Sequence, residues 1–95
     1  KAEFGQRATK LPVSATKSMH GHLLGAAGAI EAVTTVLTLR EQCIPPTAHL
    51  GELDPACVGV DHVIAARHQQ PLRAALSSSF AFGGSNAVLA FRAAP

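Results

Sequence analysis

The sequence predicts an α/β layered protein, and three observations lead to that prediction. A long helix is expected from about Gly21 to Gln42, and it is apolar on nearly every face. Two apolar runs near the end of the chain, Ala74–Phe82 and Ala87–Phe91, are the strongest strand candidates. Shorter β-type runs lie on either side of the helix, at Leu11–Ser14 and Val60–Ala65.

The predicted helix consists mostly of good helix formers, and it ends where Pro45 and Pro46 cannot continue it. Its small residues from Gly25 to Ala29 allow the first turns to approach another backbone closely. Apolar residues at every angle around a helix are typical of a buried helix, which needs a sheet on each side. Because 95 residues supply only about three strands, we expect the second cover to come from outside this chain.

The remaining segments read as connections. Gly83–Asn86 separates the last two runs and is a turn of the hairpin type. The run that follows it is continuously apolar, which predicts a central strand covered on both faces. Polar loops or surface connections are expected at Ser14–His20, Pro45–Gly59 and Arg67–Pro71.

Composition and charge exclude several classes of function. Eight Lys+Arg against six Asp+Glu leave a net charge of +2, which is too weak and scattered for a nucleic-acid face or an anionic-membrane patch. No run of transmembrane length and no secretory signal pattern is visible, so a soluble cytoplasmic protein is expected. The first residues resemble the tail of a helix running into Gly5, and we expect a fragment of a longer polypeptide.

No metal site is expected. Cys43 and Cys57 match neither a CxxC pair nor a disulfide framework, so both are predicted to be free thiols. A zinc site built on histidines lacks a carboxylate or cysteine at regular spacing. The histidines considered for it are His20, His22, His49, His62 and His68.

His22 is the first candidate for chemistry, because it stands at the start of the predicted helix. The partial positive charge of a helix N-terminus disfavours an imidazolium, so a neutral ring is expected there. Such a ring can donate an N–H to a carbonyl oxygen that gains negative charge, as in an enolate or oxyanion. Lys17, five residues earlier, adds positive charge or pairs with a carboxylate. These residues alone leave open whether His22 is catalytic or a helix cap.

The second candidate is the loop Phe80–Asn86. Its adjacent glycines, Gly83 and Gly84, let backbone N–H groups face a ligand and allow the loop to move. A Gly-Gly turn between apolar strands is more often a simple hairpin, and neither phosphate-binding glycine pattern is present.

Both candidates match the motifs of one family. Residues 17–28 read Lys-Ser-Met-His-Gly-His-Leu-Leu-Gly-Ala-Ala-Gly, which is similar to the Lys-Ser-x-x-Gly-His-x-x-Gly-Ala-Ala-Gly signature of β-ketoacyl synthases. Residues 78–87 read Ser-Ser-Phe-Ala-Phe-Gly-Gly-Ser-Asn-Ala and resemble the closing Ser-Phe-Gly-Phe-Gly-Gly-x-Asn-Ala loop of that family. The order and distance of the motifs also fit, and the Leu-Leu-Gly-Ala-Ala-Gly run is closer to type II elongating enzymes than to modular polyketide synthases.

The resemblance implies a thiolase-like α-β-α-β-α fold, usually a homodimer, of which residues 1–95 would be the C-terminal segment. The implied reaction is the decarboxylative Claisen condensation of fatty acid biosynthesis. A cysteine takes an acyl chain from an acyl carrier protein, and a malonyl group on the carrier's phosphopantetheine loses carbon dioxide and attacks that chain. No cofactor of the enzyme itself is implied.

The resemblance also implies roles for particular residues. His22 would be the second of two catalytic histidines and would hydrogen-bond the malonyl thioester carbonyl, while Lys17 would be the active-site lysine that organises the region electrostatically. The remaining residues would bind substrate. The backbone N–H of Phe82 would join the oxyanion hole, and its ring would gate the acyl pocket. Gly83 and Gly84 would let the loop move, Asn86 would brace it, and Phe80 would belong to the same loop.

Some features depart from the family pattern. His20 stands where Thr or Ser is more usual, and Ala81 replaces a common Gly, which would stiffen the loop. No Ala-Cys-Ser nucleophile motif and no His-Gly-Thr motif occur in the 95 residues. We therefore expect the isolated chain to be inactive. The alternatives are a non-catalytic chain-length-determining partner of the same fold, a polyketide ketosynthase, or a module that binds the phosphopantetheine of a carrier protein.

Overall fold

The computed structural model describes residues 2–68 and 71–95. These residues form two compact units. The first contains the described residues up to Gly21 together with Ile44–Arg67, and the second contains His22–Cys43 together with the described residues of His68–Pro95.

The first unit is held by short elements around one buried side chain. It contains a 3₁₀ turn at Gly5–Lys10, strand β1 at Pro12–Val13, and strand β3 at Asp61–His62, which runs parallel to β1 with Val13 opposite His62. Val63, fully buried, continues this pairing by donating its N–H to the Val13 carbonyl at 3.0 Å. The predicted strands over 11–14 and 60–65 are thus present but shorter.

The predicted connection over residues 45–59 is tied to the loop after β1. The Ser14 hydroxyl donates to the Pro45 carbonyl at 2.5 Å, and the Ala15 N–H donates to the Thr47 hydroxyl at 2.9 Å. Later in the connection a 3₁₀ turn at Pro55–Cys57 begins after Asp54, whose carboxylate caps it by accepting the Ala56 N–H at 2.8 Å.

Two predicted loops contain regular structure. Within the expected loop Ser14–His20, residues Lys17–His20 form a single α-helical turn, α1. Within the expected loop Arg67–Pro71, residues Arg67–His68 form strand β4, which pairs with strand β2 at Cys43–Ile44. The part of that prediction that falls on residues 69 and 70 lies outside the described residues.

In the second unit a helix packs on an antiparallel hairpin. Helix α2 spans Ala27–Glu41 and follows directly on a 3₁₀ turn at Leu24–Ala26. The hairpin consists of strand β5 at Ala74–Phe80 and strand β6 at Asn86–Arg92, with Ser77 opposite Leu89 at its centre. The C-terminal hairpin that the sequence predicts is therefore present, with strand ends within two residues of the expected ones.

Helix α2 starts later and is more exposed than the sequence predicts. Its start at residue 27 rather than 21 follows from the backbone before it, since Gly21 with φ 81° and Leu24 with φ 50° both have a positive φ that a right-handed helix does not allow. Only Ala27 and Leu39 are buried on the helix.

The described residues therefore do not confirm a helix buried on all sides, for which a second cover is expected from outside this chain. The described strands that contact the helix, β5 and β6, cover one side of it. Its exposed apolar side chains are Val33, Val36 and Leu37. No helix in the described part of the chain is long and apolar enough to cross a bilayer.

Strand β6 also differs from its prediction. It was expected to be a central strand covered on both faces, but β5 is its one partner among the described residues. Val88 and Leu89 are each about half exposed. A continuous apolar run predicts burial on both faces, and the described residues do not confirm it.

Candidate active site

The ring of His22 is held by the backbone at the start of the helical segment 24–41. Its Nδ1 accepts the N–H of Leu24 at 2.9 Å. A nitrogen that accepts a hydrogen bond carries no hydrogen, so the neutral ring has its hydrogen on Nε2. His22 is therefore both a cap of the first turn and a side chain whose Nε2–H is available as a donor.

Leu24, the partner of His22, has a strained backbone. Its φ of 50° lies in the left-handed region, which costs a residue other than glycine about 1–2 kcal/mol. Its side chain is 78% exposed and does not explain this conformation by packing. Strain of this kind is concentrated at functional sites. Sequence reasoning missed Leu24, because a leucine carries no local signal for a positive φ.

The turn before His22 belongs to the first unit. Lys17 begins α1, and its carbonyl accepts the N–H of Gly21 at 2.7 Å. His20 ends α1, and both of its ring nitrogens have partners. Nε2 lies 2.9 Å from the Thr16 hydroxyl, and Nδ1 lies 2.9 Å from the Gly21 carbonyl.

The loop between β5 and β6 is a tight turn with exposed aromatic rings. Ala81 donates its N–H to the Ser85 carbonyl at 2.9 Å, and Gly83 and Gly84 have φ of 88° and 86°. These φ values explain why glycine occupies both positions, since a residue with a side chain would be strained at a positive φ. Phe82 is fully exposed, and Phe80 is 76% exposed. Phe80 and Asn86 face each other as the first pair of the hairpin.

Part of each motif lies at the same end of the second unit. A Cβ added to Gly28, in the first turn of α2, would lie 3.9 Å from the Oγ of Ser79, near the end of β5. The segment that carries His22 leads into this end of α2, and the loop that carries Phe82 leaves this end of β5. Within the second unit, the part of the first motif from His22 onward and the Phe82 loop therefore lead from the packed ends of α2 and β5.

Comparison with known proteins identifies the family. The model of the β-ketoacyl synthase C-terminal domain matches residues 1–51, more than half of the chain, including Lys17 and His22. The chain belongs to the β-ketoacyl synthase family. The predicted resemblance is confirmed.

Two curated relatives are similar over 92 residues, which is 97% of this chain. The chain is 46% identical to nodulation protein E of Rhizobium sp. (strain N33) and 47% identical to 3-oxoacyl-[acyl-carrier-protein] synthase 2 of Synechocystis sp.. The enzyme of the same name from Staphylococcus aureus is 46% identical over the same length. The chain spans less than a quarter of each relative, 23%, 22% and 23% respectively.

The cysteines of this ketosynthase segment lie in structural elements. Cys43 is half-buried in β2, whereas Cys57 is exposed at the end of a 3₁₀ turn, and both are free. The carbonyl of Cys57 accepts a hydrogen bond from His62 Nε2 at 3.0 Å. Among residues 2–68 and 71–95, no three His, Cys, Asp or Glu side chains come together in a group that could hold a metal ion.

Proposed function

We propose that the full-length polypeptide containing this chain is a 3-oxoacyl-[acyl-carrier-protein] synthase of fatty acid biosynthesis. It would condense an acyl thioester with malonyl-carrier protein, and this chain would supply the malonyl side of the site. The observation that carries the proposal is the packing of α2 on β5, where a Cβ added to Gly28 would lie 3.9 Å from the Oγ of Ser79; it supports a common site for the His22 segment and the Phe82 loop. Family membership and relatives with that enzyme name support the reaction class.

The proposed chemistry begins at the malonyl thioester. The bond between its α-carbon and its carboxylate carbon breaks, and carbon dioxide is released. The electron pair of that bond stays on the thioester and forms an enolate, whose oxygen accepts the Nε2–H of His22. The enolate carbon then attacks the acyl carbonyl on a cysteine supplied by residues outside this chain, and the cysteine thiolate leaves. The Leu24 N–H holds His22 in the tautomer that this role requires.

The remaining predicted residues have supporting roles in this proposal. Lys17 contributes positive charge, and the Phe82 N–H joins the oxyanion hole while its ring gates the acyl pocket. Gly83 and Gly84 permit loop motion, since neither has a Cβ that restricts its backbone. Asn86 and Phe80, paired at the base of the loop, brace it. The proposed partners are an acyl carrier protein and a second copy of the full-length polypeptide, in the cytoplasm.

Substitution of His22 in the full-length polypeptide tests the proposal. His22→Ala should lower the rate of malonyl-carrier decarboxylation by roughly 10²–10³-fold, the usual effect of removing one oxyanion donor. His22→Gln should lose less, because its amide nitrogen can take the place of Nε2–H. Acyl transfer to the cysteine should be unchanged in both. The rates are measured by release of labelled carbon dioxide and by acyl labelling.

The control is His68→Ala, which removes an exposed imidazole from β4. It should have the wild-type rate. A His22→Ala enzyme that decarboxylates at the wild-type rate would show that the assignment of His22 is wrong. A wild-type polypeptide that takes up no acyl group and condenses no malonyl-carrier would refute the function as a whole and favour a non-catalytic partner.

A further inference from the structure

His20 is held at both ring nitrogens, although the residue is exposed. The Gly21 carbonyl can only accept a hydrogen bond, so the Nδ1 atom that lies 2.9 Å from it carries a hydrogen and donates. In the neutral ring, Nε2 then accepts from the Thr16 hydroxyl at 2.9 Å. The imidazole thus spans α1 from the residue before it to the residue after it.

Gly21, the residue whose carbonyl this imidazole contacts, has no side chain that packs against its surroundings. Its φ of 81° and ψ of −179° belong to a conformation that side chains rarely adopt, and no atom lies within 4 Å of a Cβ placed on it. A glycine without packing neighbours is free to adopt many conformations. Among the described residues, two hydrogen bonds restrain it, one from its N–H to the Lys17 carbonyl and one from the His20 Nδ1–H to its own carbonyl.

The Gly21 carbonyl is part of the peptide bond to His22. Because that peptide group is planar, holding the carbonyl also sets the direction in which the backbone of His22 leaves it. On the other side of the residue, the Leu24 N–H holds the His22 ring.

We propose that His20 is a positioning residue for His22, and that its Nδ1–H acts by fixing the Gly21–His22 peptide bond. This inference rests on the proposed function, in which the Nε2–H of His22 meets the forming enolate. A small displacement of that donor weakens the hydrogen bond in the transition state more than in the bound substrate. Loss of the His20 contact therefore lowers kcat for decarboxylation and leaves KM nearly unchanged.

Substitution of His20 by Asn or by Gln distinguishes the contributions of its two ring nitrogens. The amide nitrogen of Asn can occupy the place of Nδ1, and the amide nitrogen of Gln can occupy the place of Nε2. In the full-length polypeptide, His20→Ala and His20→Gln should each lower kcat about tenfold, while His20→Asn should stay within about twofold of wild type. Acyl loading should be unchanged in all three. Met19→Leu, which changes the neighbouring exposed side chain and no hydrogen bond, should match wild type.

The outcomes separate this inference from the proposed function. If wild type decarboxylates malonyl-carrier and His20→Ala equals it, the positioning role is wrong and the function stands. The role is also wrong if His20→Gln restores activity better than His20→Asn, or if both restore it equally, because then the Thr16 contact or side-chain volume is what matters. If wild type itself has no activity, the function has failed, and the inference fails with it.

Discussion

Asp61 and Arg67 form a bidentate ion pair in the first unit. The Nη1–Oδ2 distance is 2.7 Å and the Nη2–Oδ1 distance is 3.1 Å. The side chains are about one third and one quarter exposed for Arg67 and Asp61 respectively. The hydrogen bonds from Arg67 are the largest influence on the pKa of Asp61, and together with its charge they lower that pKa, although burial opposes the shift. The pair connects β3 to the start of β4.

The pH dependence of this pair follows from the direction of the shift. Because the pKa of Asp61 is lower in the folded state, the pair stabilises the fold at pH values above the ordinary pKa of an aspartate carboxyl. That stability is lost as the pH falls through the folded pKa. An NMR titration of the Asp61 carboxyl should therefore have its midpoint below the ordinary value.

Arg67→Gln should raise the midpoint of Asp61 toward the ordinary value, because it removes the charged donor. Arg73→Gln, which removes a cation that is not among the influences on Asp61, should leave the midpoint where it is. An unchanged midpoint in Arg67→Gln would contradict the assignment of the pair.

At the scale of elements, the approach of α2 to β5 at Gly28 organises the second unit. A Cβ at this position would be in ordinary van der Waals contact with Ser79 at 3.9 Å. At the other end of the helix, Gln42 has φ 53° and donates from Nε2 to the carbonyls of Leu39 and Leu72, at 2.7 and 3.0 Å. Its Oε1 accepts the Leu72 N–H at 2.8 Å. The C-terminal end of α2 is thus hydrogen-bonded to Leu72, just before the hairpin.

Substitution at Gly28 tests the close approach. Gly28→Ala should be neutral or stabilising by up to about 1 kcal/mol, since Ala favours a helix and its Cβ fits. Gly28→Val should destabilise by about 1–3 kcal/mol, because its methyl groups extend toward Ser79. The free energy of unfolding of the full-length polypeptide measures both effects.

Gly25 provides the matched control, because a Cβ there meets no atom within 4 Å. Gly25→Val should therefore be tolerated better than Gly28→Val. Equal losses at both positions would indicate that helix propensity, and not contact with Ser79, determines the cost.

At the scale of the whole chain, many large apolar side chains remain in contact with solvent. Those more than half exposed include Leu24, Val33, Ile64, Leu76, Phe80, Phe82 and Val88. Apolar surface of this kind is typical of an interface or of a surface that self-associates. The described cysteines also lie in structural elements and not in a nucleophile motif.

The isolated 95-residue chain should therefore condense nothing in an assay with radiolabelled malonyl-carrier protein, because it supplies no nucleophile for the acyl chain. It should also bind a hydrophobic dye and self-associate, as measured by fluorescence and light scattering. The full-length polypeptide is the positive control. Turnover by the isolated chain would show that the proposed division of the site is wrong.

Much of the local structure could be read from the residues. Gly83 and Gly84 between apolar runs predicted the hairpin, because only glycine accepts their positive φ without strain. Pro45 and Pro46 predicted that the helix ends before them, and it ends at Glu41. The motif around His22 predicted the family, since the order and type of residues carry that information directly.

The sequence by itself therefore determined the α/β class, the hairpin and the family, because glycine, proline and motif residues act through the local backbone or through their identity. Only the tertiary structure decided where α2 begins, which tautomer His22 adopts, and how His20 holds Gly21. Among the described residues it did not confirm the expected burial of α2 and β6. Burial and hydrogen bonding depend on which groups the folded chain brings within reach, and no local pattern encodes that.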